Sequence, residues 1–311
     1  MSVELTVVIP TFNRRASLLA LIHSLTSQDL APNRFEVVVV IDGSTDGSAE
    51  ALAELNLPFK LTVHRLPNGG AGAARNAGAS LAESEFVLFI DDDMVVRKTT
   101  LSAHLAALRS HPGSAVVGMI ETIFQHDGIG RRSERFWDSV GTFADGKRLT
   151  IHECCSGNLS LPLDLFRKTG GFFEPIRRLE DAELGFRLEK SGVELRFAKG
   201  AAAIQTVVKG AAATLADAYV AGMTSVVLFR ERPEFLRRLR DPTHRPPGMF
   251  MVTAVRFGLR LPIPELALGR ISSARPGARH LHHVLWFRAY LRGVRSEAAS
   301  DAEFVAFLRR R

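Results

Sequence analysis

Two acidic stretches have spacings that could do chemistry. Asp91-Asp92-Asp93 follows directly on an apolar run, Phe86 to Ile90. Three consecutive carboxylates repel one another unless a cation sits among them. A hard divalent ion that also holds a diphosphate suits the position, because Mg2+ or Mn2+ takes few carboxylates and completes its shell with phosphate oxygens. The other reading has Asp93 capping a helix, with Asp91 and Asp92 exposed. The second stretch, Glu180-Asp181, opens the segment Glu180 to Leu188. A carboxylate in the first turn of a helix is kept ionised by the positive end of the helix dipole. That is the state a general base needs. Simple capping of that helix is the alternative.

The remaining polar candidates fall where apolar runs end. Leu5 to Pro10 runs into Thr11-Phe12-Asn13-Arg14, Phe35 to Ile41 into Asp42-Gly43-Ser44, and Phe59 to Leu66 into Asn68-Gly69-Gly70. Taken singly, Asp42-Gly43 and Asn68-Gly69 are ordinary turn sequences. Together with the Asp triplet they define one crevice, since ligands of an open parallel sheet bind at the carboxyl ends of its strands. The glycine loop does not match a dinucleotide fingerprint: in G-x-G-x-x-G read from Gly70, Arg75 stands where the third glycine belongs, and no G-x-x-x-x-G-K-[ST] loop occurs. A nicotinamide-dependent or ATP-hydrolysing enzyme is therefore not the expectation.

The elements that must position these residues alternate. Apolar strands are followed by helices over 15–27, 46–55, 72–83 and around Leu101, Leu105 and Leu108, the pattern of an α/β sheet with right-handed crossovers. FEVVVVI is too uniformly apolar for a strand with one wet face, so it is expected inside a parallel sheet. Polar, glycine-containing sequence from Phe124 to Thr150 reads as an insertion or a mobile loop. A short helix over 163–168, a Gly170-Gly171 break, a helix over 181–191 and strands over 194–198 and 201–207 follow. Beyond about residue 211 the pattern is helical and basic. The expected organisation is a domain over 1–210, with its nucleotide-binding part about 1–120 and its acceptor part about 121–210, and a helical extension over 211–311.

Composition narrows the class. With 311 residues, 46% hydrophobic and 23% charged, the chain is globular rather than disordered or fibrous. No signal peptide is read at the N-terminus, and no apolar segment is read as spanning a bilayer; Met249 to Gly269 is interrupted by Arg256, Arg260, Pro262 and Pro264. Cys154 and Cys155 are adjacent and read as strand residues rather than a disulfide, which points to a reducing cytoplasm. His280, His282 and His283 have no Cys or acidic partner at ligand spacing. The charge is uneven. From Arg230 onward there are 17 Arg, no Lys and 7 acidic residues, an excess of +10 in a chain whose total is +7. Phe250, Met251, Leu261, Leu285, Trp286, Phe287 and Tyr290 interleave with those arginines, so an anionic membrane surface is the expected partner rather than nucleic acid. A solvated helical face packed on a core is the plainer alternative.

In order along residues 4 to 205, VVIPTFNR, VVVIDGSTDGS, NGGAGAARNAG, LFIDDDM, SGNLSL, GGFFE and EDAELGFRL resemble the motifs of the family 2 glycosyltransferases. The resemblance implies a GT-A fold, Rossmann-like, with a mostly parallel central sheet flanked by helices. It implies an inverting transfer of a sugar from a nucleoside diphosphate donor, UDP above others, to the hydroxyl of a sugar or lipid-linked acceptor in cell-surface glycan or glycolipid assembly. Donor contacts would come from Pro10, Thr11, Phe12, Asn13, Arg14, Asp42, Ser44, Asn68, Gly69, Arg75, Asp91 and Asp92. Asp91 and Asp93 would hold Mn2+ or Mg2+, weakly without donor, since Gln205 stands where similar enzymes carry a metal-binding His. Gly157, Asn158, Gly170 and Gly171 would face the acceptor. Asp181 would be the base, with Glu180 beside it. A nucleotidyltransferase-like enzyme and a non-catalytic adaptor of the same fold remain as other readings.

Overall fold

The computed structural model describes residues 3–125, 139–208, 211–239 and 278–310. The chain divides into two compact units, one of residues 1–124, 132–174 and 180–207, the other of 125–131, 175–179 and 208–311.

In the first unit, β1 (Leu5–Thr11), β2 (Phe35–Asp42) and β4 (Phe86–Ile90) are buried along their whole length. This is why their sequences run apolar without alternation. With β3 (Lys60–Leu66) they form a parallel set in the order β3-β2-β1-β4. Alternate side chains enter two separate cores. Leu5, Val7 and Ile9 meet α1 (Arg15–Leu25) and α4 (Thr100–Ser110) on one face. Val8, Val38 and Val40 meet α3 (Ala71–Ser80) on the other. The short helix α2 (Ser48–Ala53) links β2 to β3.

Beyond β4 the sheet turns antiparallel. Strand β8 (Asn158–Pro162) pairs with β4 and with β6 (Ala115–Gln125), and β9 (Leu195–Val208) pairs with β5 (Met94–Val96) and β7 (Arg148–Leu149). The sequence reading did not foresee β5 to β8, and it split β9 into two. Strands of two to five residues, such as β5, β7 and β8, carry little periodicity of their own and are defined by the partners they pair with. Asp93 leads into β5, not into a helix, so the helix-cap reading of the triplet falls. Cys154 and Cys155 lie in a loop before β8, free and outside any strand. Of the expected insertion, residues 126–138 lie outside the described residues. The unit is completed by α5 (Leu163–Lys168) and α6 (Glu180–Lys190).

From residue 211 onward the described part of the second unit consists of the helices α7 (Ala211–Glu231), α8 (Pro233–Arg238), α9 (Ala278–Glu297) and α10 (Asp301–Arg310). Helices α7 and α9 touch backbone to backbone. A Cβ on Gly222 would overlap the Tyr290 carbonyl oxygen, and one on Gly293 would overlap that of Tyr219. Leu285 and Tyr290 are buried in this core, and Trp286 and Phe287 stack on Tyr290. Several residues expected to meet a membrane therefore pack inward. Phe250, Met251 and Leu261 lie outside the described residues, as does the interrupted stretch Met249 to Gly269. In contrast to the sequence reading, among the described residues one helix, Ala212–Glu231, is long and apolar enough to cross a membrane by length and composition, with 39% of its apolar window buried.

Candidate active site

The loops after β1, β2 and β3 are laced together by side chains that the sequence marked. Asn13 takes the left-handed conformation, φ 52°, which its short polar side chain tolerates. Its N–H donates to Ser44 Oγ at 2.9 Å and its Oδ1 accepts the Thr45 N–H at 2.9 Å. Asp42 is 5% exposed, and its two oxygens accept the Gly69 and Gly70 N–H groups at 2.6 and 2.7 Å. Its carboxylate holds the glycine loop, and only its remaining lone pairs are left for a ligand. Asn68 is exposed on that loop, and Phe12 lies 47% exposed at the mouth of the crevice. Pro10 and Thr11 are buried, so of the first loop only Phe12, Asn13 and Arg14 present side chains outward.

The three aspartates do three different things. Asp92 points inward, 5% exposed, and accepts Thr11 Oγ1 at 2.8 Å and Arg14 Nη1 at 3.0 Å. Burial lifts its carboxyl to about 6 against the pull of Arg14. Expected as a donor contact, it instead braces Thr11 and Arg14 with its carboxylate turned inward. Asp93 accepts Arg14 Nη1 at 2.9 Å and Gln205 Nε2 at 3.0 Å, and burial raises it above the usual carboxylate range. The β5–β9 pairing sets Gln205 opposite Met94, which is how a residue so far along the chain arrives beside Asp93. Asp91 accepts Arg75 Nη2 at 2.6 Å. The same guanidinium, 3% exposed, donates to Glu180 Oε1 at 3.3 Å and lies 5.3 Å from the Phe172 ring centre. Burial works against that cation, and Asp91 and Glu180 more than offset it.

Asp181 is half-buried in the first turn of α6 and its Oδ1 accepts the Ala182 N–H at 2.8 Å. The expectation that the helix end keeps it ionised is corrected by its surroundings. Burial, then the charge of Glu180, push its carboxyl up to about 7, against the Ala182 N–H and Arg75. Desolvation exceeds the dipole here. A carboxyl poised near neutrality is better matched to proton abstraction than a fully ionised one.

Of the expected acceptor residues, Asn158 is corrected. It is fully buried, accepts a bond with His104 Nε2 at 2.8 Å and donates to Met119 O and Ala201 O at 3.2 and 2.8 Å. It stitches β8 to its neighbours and to α4. Its partner His104 is also buried, which lowers that imidazole to about 4 and keeps it neutral. Gly157 lies against the cluster, since a Cβ there would come 2.7 Å from Asp91 Oδ2. Gly170 and Gly171 both have positive φ, 83° and 66°, and end α5 with N–H bonds back to Arg167 O and Phe166 O. The sequence reading missed His104, Asn76 and Arg187. A His among Leu101, Leu105 and Leu108 on an apolar helix face is a signal for the first, and Glu183–Arg187 at i,i+4 for the last; Asn76 gave none.

The chain matches the family described as Glycosyl transferase family 2 over residues 6–168. It is 37% identical over 110 residues to the poly(ribitol-phosphate) beta-N-acetylglucosaminyltransferase TarS of Staphylococcus aureus, covering 35% of this chain and 19% of that protein. It is 29% identical over 221 residues to the validoxylamine A glucosyltransferase of Streptomyces hygroscopicus subsp. limoneus, covering 61% of this chain and 49% of that one. These matches span less than two thirds of either relative. Among solved structures, the Pyrobaculum calidifontis mannosyltransferase PcManGT with GDP-Man and Mn2+ superposes with TM-score 0.66 at 19% identity, covering 96% of this chain and 89% of that one. TarS 1–349 of S. aureus with UDP-GlcNAc superposes with TM-score 0.57 at 20% identity, covering 94% and 91%. The fold is that of the GT-A glycosyltransferases.

Proposed function

The chain belongs to glycosyl transferase family 2, and from that premise we propose that it is an inverting glycosyltransferase. It moves a sugar from a UDP-sugar to the hydroxyl of a sugar or lipid-linked acceptor. The observation that carries this reading is Arg75. One buried guanidinium joins Asp91, at the end of the donor-side strand β4, to Glu180, next to a carboxyl poised near 7. Asp181 takes the acceptor hydroxyl proton as that oxygen attacks the anomeric carbon, and the bond to the diphosphate breaks on the opposite face. Phe12 and Asn13 border the nucleoside, and the loop N–H groups ordered by Asp42 shape its seat. Arg14 stands where it can turn toward the departing diphosphate.

The residues present fit a divalent ion that arrives with the nucleotide. Asp91 and Asp93 offer hard oxygens and the Gln205 amide adjoins Asp93, while among the described residues no group of three or more His, Cys, Asp or Glu is arranged to hold an ion by itself. Mn2+ or Mg2+ there would offset charge on the diphosphate. Thermal shift and calorimetry test both statements. UDP raises the melting temperature of the chain, and triphosphates alone do not. Stabilisation approaches about 2.7 kcal/mol at a hundredfold excess over Kd. Mn2+ binds weakly by itself and more tightly with UDP, and Asp93→Ala abolishes that linkage. Micromolar Mn2+ affinity without nucleotide, unaltered in Asp93→Ala, would place the ion elsewhere.

The second unit supports a peripheral attachment at the cytoplasmic face of a membrane. Its arginine excess suits anionic headgroups and α7 is apolar. Sedimentation of the full chain with phosphatidylglycerol vesicles at low salt, lost at high salt and absent with phosphatidylcholine, is the expected result; equal sedimentation with both lipids overturns it.

A further inference from the structure

The loop Thr169 to Glu174 is held on two sides by side chains that the transfer mechanism leaves without a task. From α3, Asn76 Nδ2 donates to Phe172 O at 2.9 Å and to Glu174 Oε1 at 2.8 Å, and its Oδ1 accepts the Phe172 N–H at 2.7 Å. From α6, Arg187 donates to Thr169 O and, at 2.6 Å, to Gly171 O. Arg187 is itself fixed by Glu183, which is fully buried and accepts its Nε and Nη2 at 2.7 to 3.0 Å. Gly171 is matched to this clasp: a Cβ there would stand 2.5 Å from Asn76 Oδ1.

Both anchors neighbour the site. Asn76 follows Arg75, whose guanidinium covers the Phe172 ring and pairs with Asp91 and Glu180. Phe172 packs in turn on Phe89 and Phe166, with ring centres 5.1 and 5.6 Å away. Arg187 lies six residues beyond Asp181 on one helix, about 9 Å along its axis. The loop is thus referenced to the donor-side carboxylate through α3 and to the base through α6. Its two side-chain anchors, Asn76 and Arg187, come from these two helices and not from the β1 and β2 loops that border the nucleotide.

We propose that Asn76 and Arg187 are positioning residues for the acceptor: they hold the 169–174 backbone as a fixed wall beside the base, so that the incoming hydroxyl is presented to Asp181. Resting on the glycosyltransferase reading above, this assigns the wall to the acceptor rather than the donor. A loop freed from its clasp must be ordered at each encounter, and that cost falls on the acceptor KM.

The test uses the full chain, UDP-GlcNAc as donor, p-nitrophenyl glycosides as acceptors, and water as the competing acceptor. Asn76→Ala is expected to raise the acceptor KM about tenfold or more. Donor hydrolysis to water and the UDP-induced thermal shift stay within about twofold of the parent, and amide exchange quickens across 169–174 only. Arg187→Lys, which keeps the charge facing buried Glu183, should reproduce the effect in milder form, and Asn76→Asp should restore the Phe172 N–H contact in part. Unchanged exchange in 169–174, or loss of UDP affinity in place of acceptor KM, overturns the proposal. If the parent neither binds UDP nor consumes UDP-GlcNAc, the enzyme reading fails. The exchange measurement then still reports whether Asn76 and Arg187 hold the loop, and unchanged protection would sink the clasp on its own.

Discussion

Asp181→Asn is expected to lower sugar transfer by a factor of about 10² to 10⁴ while leaving the UDP-induced thermal shift intact. The amide keeps the shape of the side chain and removes its ability to accept a proton. The parent enzyme carries a matching pH signature. Asp181 must be ionised to act and its carboxyl sits at about 7, so kcat/KM falls roughly tenfold per unit as pH drops below that value. Stability moves in the opposite sense. The folded pKa lies above the unfolded one, so the native state holds the proton more tightly and ionised Asp181 weighs against folding. That burden is absent below the unfolded pKa, grows as pH rises toward 7 and is complete above it. Asp181→Asn should therefore melt higher than the parent at pH 8, with the gain shrinking toward pH 4. Retained turnover, or an acid limb below pH 5, would mean that Asp181 only caps α6 and the base lies elsewhere.

Arg75→Met is expected to damage both folding and catalysis. The guanidinium is almost wholly buried and serves two carboxylates. Removing one partner of a buried ionic cluster strands the others, typically at about 3 to 5 kcal/mol. Arg75 also pulls the Asp181 carboxyl down, so its loss should move the acid limb of the rate profile to higher pH. Arg75→Lys keeps the charge but not the planar fork, and should recover stability better than activity. Urea unfolding and a kcat/KM profile from pH 5 to 9 decide the matter. A variant with the parent's stability and acid limb would show that Arg75 does not link the two sides of the site.

The sequence by itself determined the four parallel strands and the residues at their ends. Leu5–Thr11, Phe35–Asp42 and Phe86–Ile90 are buried on both faces, so their apolar character was continuous and legible, and the polar residues that break each run mark the crevice. Helix α6 was legible for the same local reason: an acidic first turn, helical spacing and a glycine after the last turn. What only the tertiary structure decided depends on partners distant in the chain. The antiparallel strands β5, β7 and β8 are two to five residues long, too short for a period to show. Asn158, read as an acceptor contact, is instead satisfied inside by His104, Met119 and Ala201, which no local pattern connects. Three adjacent aspartates look alike in sequence. They part company because the strand end turns Asp92 toward Thr11, Asp93 toward Arg14 and Gln205, and Asp91 toward Arg75. The state of Asp181 was misjudged for the same reason: the helix dipole is a local property readable from position, whereas desolvation and the charge of groups packed around a carboxyl exist only once the chain has folded.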